Sequence, residues 1–218
     1  MDTFEMGLVV SGKTVEDALA LIERAWRRRY EAFQASGASE REIGVVLMRV
    51  RRELEEAVAI CRELDAKREL SVALGKLGHV EHDAAARSAI YEEAVAVARE
   101  CGDPMQLAHA VRHLGDVARH AGETIVAERC YEEALGLYRS EAAPPVLDFA
   151  NALRPMAILK ADTGELEEAR ELWRKVAELY GAVGVEQGVE EAERWLERLA
   201  GPDGGIASTP PSGPNALT

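Results

Sequence analysis

Residues that favour strands are scarce in this 218-residue chain. Aromatics make up only 5%, and β-branched residues are sparse, so an extensive sheet is not expected. Positive charge is also in deficit: 26 Lys and Arg stand against 39 Asp and Glu, a net charge of −13. That balance argues against nucleic acid or an anionic membrane as a partner, because phosphate groups call for a basic face. No apolar run approaches the roughly 18 residues of a membrane-spanning helix. The start, Met1-Asp2-Thr3-Phe4-Glu5, is acidic and so lacks the basic lead-in of a secretory signal. The three cysteines, Cys61, Cys101 and Cys130, are odd in number, and none lies in a CxxC pair. Each falls near the end of an apolar helical run, which predicts reduced, buried, inert thiols in a cytoplasmic protein.

What the chain does contain is Ala, Leu, Glu and Arg, all strong helix formers, with enough apolar residues (47%) to bury a core. Two basic runs, Arg27-Arg28-Arg29 and Arg49 with Arg51-Arg52, sit among carboxylates and read as solvated helix faces. Thr14 with Asp17, and Ser39 with Glu42, have the spacing of helix-capping pairs. Ser36-Gly37 ends the first helix. In the second, Ile43, Val46, Leu47, Val50, Leu54, Ala57, Val58 and Cys61 recur at three and four, which makes one apolar stripe. In Gly102-Asp103-Pro104 the glycine closes a helix, the aspartate caps the next and the proline takes its first turn. Pro144-Pro145 does similar work before Val146. These signals predict helices near 14–36, 39–65, 67–81, 84–101, 104–121, 124–140, 146–162, 166–181 and 185–200. Residues 201–218 are rich in Gly, Pro, Ser and Thr, lack periodicity, and are expected to form a flexible tail.

Internal repetition begins near Ala66. Leu74-Gly75 returns as Leu114-Gly115 and Tyr91-Glu92-Glu93-Ala94 as Tyr131-Glu132-Glu133-Ala134, both after forty residues. Gly122, Ala127, Tyr131 and Tyr138 then return as Gly164, Ala169, Trp173 and Tyr180 after forty-two. Separate features keeping one register mark a repeat array. The pattern resembles the tetratricopeptide repeat (TPR) family. Leu114 and Gly115 in a first helix, then Ala127, Tyr131 and Ala134 in a second, match its spacing of small and large positions. Leu74, Gly75, Tyr91 and Ala94 match in one neighbouring unit, and Ala169 with Trp173 in the other. The period departs from the family's usual 34 residues, as in its long-helix variety. Arg87 stands where the family prefers alanine, and Pro155 falls inside a predicted helix, where proline costs about 3 kcal/mol or a kink.

The resemblance implies an all-α fold, a right-handed α-solenoid of antiparallel helix pairs with about nine helices. The expected organisation is an N-terminal extension (1–13), a divergent N-terminal helix pair (14–65), three TPR-like repeats (66–182), a C-terminal capping helix (183–200) and the tail (201–218). The capping role rests on Val189, Ala192, Trp195, Leu196 and Leu199, which share one side of the last helix and would close the apolar end of the array.

Candidate chemistry is thin. Gly7 to Thr14 spells the phosphate-loop pattern G-x-x-x-x-G-K-T, but such a loop follows a strand. Only six residues precede Gly7, no later aspartate follows a strand-like run, and Leu8-Val9-Val10 is bulky, so a nucleotide hydrolase is not expected. All five histidines lie between His79 and His120. His109 and His113 are four apart, but no third ligand is indicated and no metal is expected; these histidines are read as surface or partner-facing. No nucleophile–base set stands out, so no enzyme activity and no cofactor are expected.

The better signal is a polar stripe. His109, Arg112, Asp116 and Arg119 recur at three, four and three on one helix, beside an apolar stripe of Val111, Leu114 and Ala118. Lys76 with His79, and Asn151 with Arg154, hold the corresponding places in neighbouring units. In the TPR family this face lines a concave groove that receives a peptide. The resemblance therefore implies a scaffold or adaptor for a protein or peptide partner bearing carboxylates, held by Arg112, Arg119 and Arg154 through charge-assisted hydrogen bonds. The alternative is a sensor module that binds a small anion in the same groove. The long second helix also has enough apolar residues to pair with its copy in a homodimer.

Overall fold

A computed structural model describes residues 12–35, 37 and 39–201. Among them are nine α-helices and no strand: α1 (Val15–Gln34), α2 (Glu40–Glu63), α3 (Lys67–Val80), α4 (Ala84–Cys101), α5 (Pro104–His120), α6 (Thr124–Ser140), α7 (Val146–Asp162), α8 (Leu166–Ala182) and α9 (Glu186–Leu199). Each predicted helix is present within about two residues of its expected ends. The agreement rests on local chemistry. Thr14 and Ser39 both form complete capping boxes, with Asp17 and Glu42. Asp103 accepts from the amides of Met105 and Gln106 at 3.0 and 3.1 Å and so caps α5. The turns after α4, α5, α7 and α8 carry Gly102, Gly122, Gly164 and Gly184, all left-handed, which glycine adopts without steric cost. After α2 the same role falls to Asp65, at φ 51°.

The chain folds as two compact units, one ending at Gln106 and one beginning at Leu107. In the first, α1 packs on α2, α2 on α3 and α3 on α4. Ala18, Leu21, Ile22 and Ala25 of α1 and Val50, Leu54, Ala57, Val58 and Cys61 of α2 are buried. The buried Glu53 carboxylate receives Arg24 and Arg28, each at 3.2 Å, with Arg49 at 3.6 Å. Buried Glu81 receives Arg51 at 2.9 Å. Parts of the two basic runs thus hold helices together rather than only solvating them.

In the second unit α6 packs on α7, α7 on α8 and α8 on α9. Ten of the eleven residues from Ala150 to Lys160 are buried, and α7 stays helical through Pro155. Trp173, fully buried, stacks on Trp195 of α9 with ring centroids 5.3 Å apart and 13° between planes. The expected apolar stripe of α5 is buried at Val111 and Ala118 and half-buried at Leu114.

In both units small residues seat large ones. A Cβ added at Gly78 would lie 2.5 Å from the Tyr91 ring, and one added at Gly115 would lie 2.7 Å from the Tyr131 ring. Gly188 leaves the same room for Tyr180. Of the cysteines only Cys61 is buried; Cys101 and Cys130 are half-exposed, which corrects the expectation for those two. Burial pushes the Cys61 thiol up to about 11, so it is protonated at neutral pH, the inert state.

Within the phosphate-loop match, Gly7 to Ser11 lie outside the described residues, as do residues 202–218 of the expected tail and Ser36 of the first helix stop. Lys13 pairs with Glu56 and Thr14 caps α1, so both have structural partners. No helix among the described residues is long and apolar enough to cross a membrane.

Candidate polar recognition face

Six of the eight residues singled out in the sequence lie in the second unit, on α5 and α7. Along α5 the helical repeat brings Arg112, His113 and Asp116 side by side. Arg112 Nη2 lies 2.7 Å from His113 Nε2. A guanidinium can only donate, so Nε2 accepts and the ring proton sits on Nδ1. Nδ1 lies 3.1 Å from Asp116 Oδ2 and donates to it. The ring is therefore neutral. Burial, with the charge of Arg112 second, pushes the His113 pKa well below its ordinary value. The other Asp116 oxygen accepts from the Tyr131 hydroxyl of α6 at 2.9 Å. Burial first, and the Asp116 charge next, raise the Tyr131 pKa, so it stays a donor.

His113, read as surface or partner-facing, is instead buried. Its adjacent apolar neighbours signalled only a stripe, and the depth comes from packing. His109 remains half-exposed, its ring 4.6 Å from that of His113. Arg112 is 5% exposed. Its nearest carboxylate is Asp116 at 4.0 Å, and its Nε has no hydrogen-bond partner among the described residues. Arg119 lies 3.9 Å from Asp162.

On α7, Asn151 is 6% exposed and accepts from Tyr180 of α8 at 2.8 Å. Burial pushes that hydroxyl up to about 12. Arg154 is bound in two-pronged fashion by Glu191 of α9, at 2.7 and 2.6 Å. Burial opposes its charge, but Glu191 outweighs burial and holds the guanidinium above its ordinary range. Of the three arginines expected to hold a carboxylate, Arg154 thus already has one. Glu191 and Tyr180 were not singled out from the sequence. Tyr180 carried a signal, since it repeats Tyr138 after forty-two residues; Glu191 is one glutamate among many.

Lys76 and His79 lie in the first unit, on α3. They meet Trp26 of α1: Lys76 Nζ sits 3.8 Å from the indole centroid and the His79 ring 5.7 Å from it. Trp26 also has Arg29 at 4.8 Å. Neither Trp26 nor Arg29 was singled out, because the Arg27–Arg29 run read as solvated.

No protein-family model matches the chain, and no curated protein matches it. Solved structures do. A crystal structure of nearly identical TPR-like repeats, ascribed to a kinesin light chain of Podosopora anserina, matches with a TM-score of 0.57 at 14% identity, covering 86% of this chain and 96% of that one. A variant of that protein matches with a TM-score of 0.58, at the same identity and coverage. BtubC (BKLC) from P. vanneervenii matches with a TM-score of 0.53 at 17% identity, covering 90% of this chain and 93% of that one. At such identities the likeness speaks for architecture alone, and it agrees with the repeat spacing and the seated tyrosines: this chain has the all-helical fold of TPR-like repeat proteins.

Proposed function

We propose that the chain is a non-catalytic scaffold that binds a protein partner, with the polar faces of α5 and α7 receiving a carboxylate-bearing segment. In this reading residues 66–182 act as three repeats and 183–200 as their cap. The observation that carries it is Arg112. A buried charge is costly unless it is paired, yet among the described residues the nearest carboxylate to Arg112 stands at 4.0 Å and already serves His113 and Tyr131. A carboxylate from a partner would supply the short, two-oxygen match a guanidinium favours. Around it, His109, Asp116, Arg119, Asn151 and Arg154 give the face its polar character, and Lys76 with His79 hold the corresponding place in the first unit.

Affinity capture from the native cell with quantitative mass spectrometry tests this. A partner held by the wild-type chain should be lost by an Arg112→Ala/Arg154→Ala variant that remains helical by circular dichroism. Equal capture by both proteins rejects the face. The depth of Arg112 also favours a second reading, a small anion in the same place. In that case citrate or inorganic phosphate alone should raise the melting temperature of the wild-type chain and leave the variant unchanged.

A further inference from the structure

Successive side chains leave an α-helix about 100° apart, so neighbours in sequence do not face each other. Arg112 and His113 of α5 are nevertheless joined, Nη2 to Nε2 at 2.7 Å. The guanidinium must bend along the helix surface to reach the ring. Among the described residues that ring nitrogen is its one hydrogen-bond partner: Asp116 stands 4.0 Å from Nη1, and Nε has none.

The ring is itself fixed. His113 is 2% exposed, so packing restricts its plane. Its Nδ1 donates to Asp116 Oδ2 at 3.1 Å, and the second oxygen of that carboxylate accepts from Tyr131 of α6 at 2.9 Å. With the proton on Nδ1, Nε2 offers only a lone pair. Each link therefore fixes the next: the hydroxyl sets the carboxylate, the carboxylate sets the tautomer, and the tautomer sets the guanidinium.

We propose that His113 is a positioning residue which, on the reading of Arg112 as the carboxylate-binding group, holds that guanidinium ready for an incoming carboxylate. An arginine has several rotatable bonds, and freezing them on binding weakens association. A guanidinium already held spares that loss. The residue type suits the task. A carboxylate at position 113 would neutralise Arg112 and compete with the partner, and an apolar side chain would leave the guanidinium loose. A neutral ring with one bare nitrogen orients Arg112 and leaves its charge unspent. Asp116 leaves it unspent too, because both of its oxygens already accept from other donors.

The test compares the wild-type chain with His113→Phe, which keeps a ring but no nitrogen, and His113→Gln, which returns an acceptor and a donor. The first readout needs no ligand. In nitrogen–proton correlation spectra of the arginine side chains, the Arg112 Nη protons should exchange slowly in the wild type, average in His113→Phe and slow again in His113→Gln. The second titrates citrate as a carboxylate probe and follows the melting temperature. Affinity should fall about tenfold in His113→Phe and recover in His113→Gln. Equal Arg112 spectra in the wild type and His113→Phe, or equal citrate affinities, would overturn the proposal. If the variants do not fold, the wild-type spectrum decides: a freely rotating Arg112 guanidinium, or a proton on His113 Nε2, overturns it. Citrate that leaves the wild type unmoved while Arg112 is held counts against the carboxylate reading of Arg112 and upholds the hold of His113 on it.

Discussion

In the first unit Tyr91 of α4 lies against Gly78 of α3; in the second Tyr131 of α6 lies against Gly115 of α5. The steric solution is shared, because each ring fills the space a Cβ on the facing residue would need. The polar surroundings differ. Tyr131 donates a hydrogen bond to Asp116, which also accepts from His113, so one carboxylate organises two groups. Beside Tyr91 stands His79, whose ring meets Trp26, and Trp26 in turn has Lys76 and Arg29 over it, a chain of rings and cations. The tyrosines keep the forty-residue register, but their seats do not: Gly78 stands three residues past Gly75, the register equivalent of Gly115.

The largest expected effect strikes the shared element. Gly78→Val and Gly115→Val each force atoms into a ring and should destabilise by about 3 kcal/mol or more, read as urea-denaturation midpoints. A loss confined to one of the two would break the equivalence of the seats. A smaller effect separates the surroundings. Lys76 has a folded pKa of about 8, below its unfolded value near 10.4. A base shifted downward opposes folding in full below about pH 8, and the opposition fades as pH rises towards 10.4. Lys76→Met should therefore stabilise by on the order of 2 kcal/mol at pH 7, and the gain should shrink at pH 10. A gain that is constant with pH would assign it to packing instead. Smallest is Tyr131→Phe, which removes one acceptor interaction of Asp116 and should cost about 1–2 kcal/mol with the helical signal unchanged. No loss would mean that the hydroxyl adds nothing to the Asp116 cluster.

Much of this molecule is legible locally. Capping pairs such as Thr14–Asp17 and Ser39–Glu42 act within one turn, so sequence spacing alone locates them. The repeat of Gly115, Tyr131 and Trp173 positions is likewise visible, because each repeat unit solves the same packing problem. The polar face was legible as a set of residues but not as a set of bonds. Periodicity placed Arg112, Asp116, Asn151 and Arg154 on helix faces. It could not pair Arg154 with Glu191, thirty-seven residues away, nor show that among the described residues Arg112 has no carboxylate closer than Asp116. Arg28 and Arg51 read as solvated because their partners, Glu53 and Glu81, lie twenty-five and thirty residues further on.

By itself the amino-acid sequence determined the helices, their ends and their repeat, because helix formation, capping and left-handed stops depend on residues within a few positions of one another. Only the tertiary structure decided which polar groups are buried and what they meet. The hydration and pairing of Arg112, His113 and Lys76 depend on which helices close over them, and that is a property of packing between distant segments.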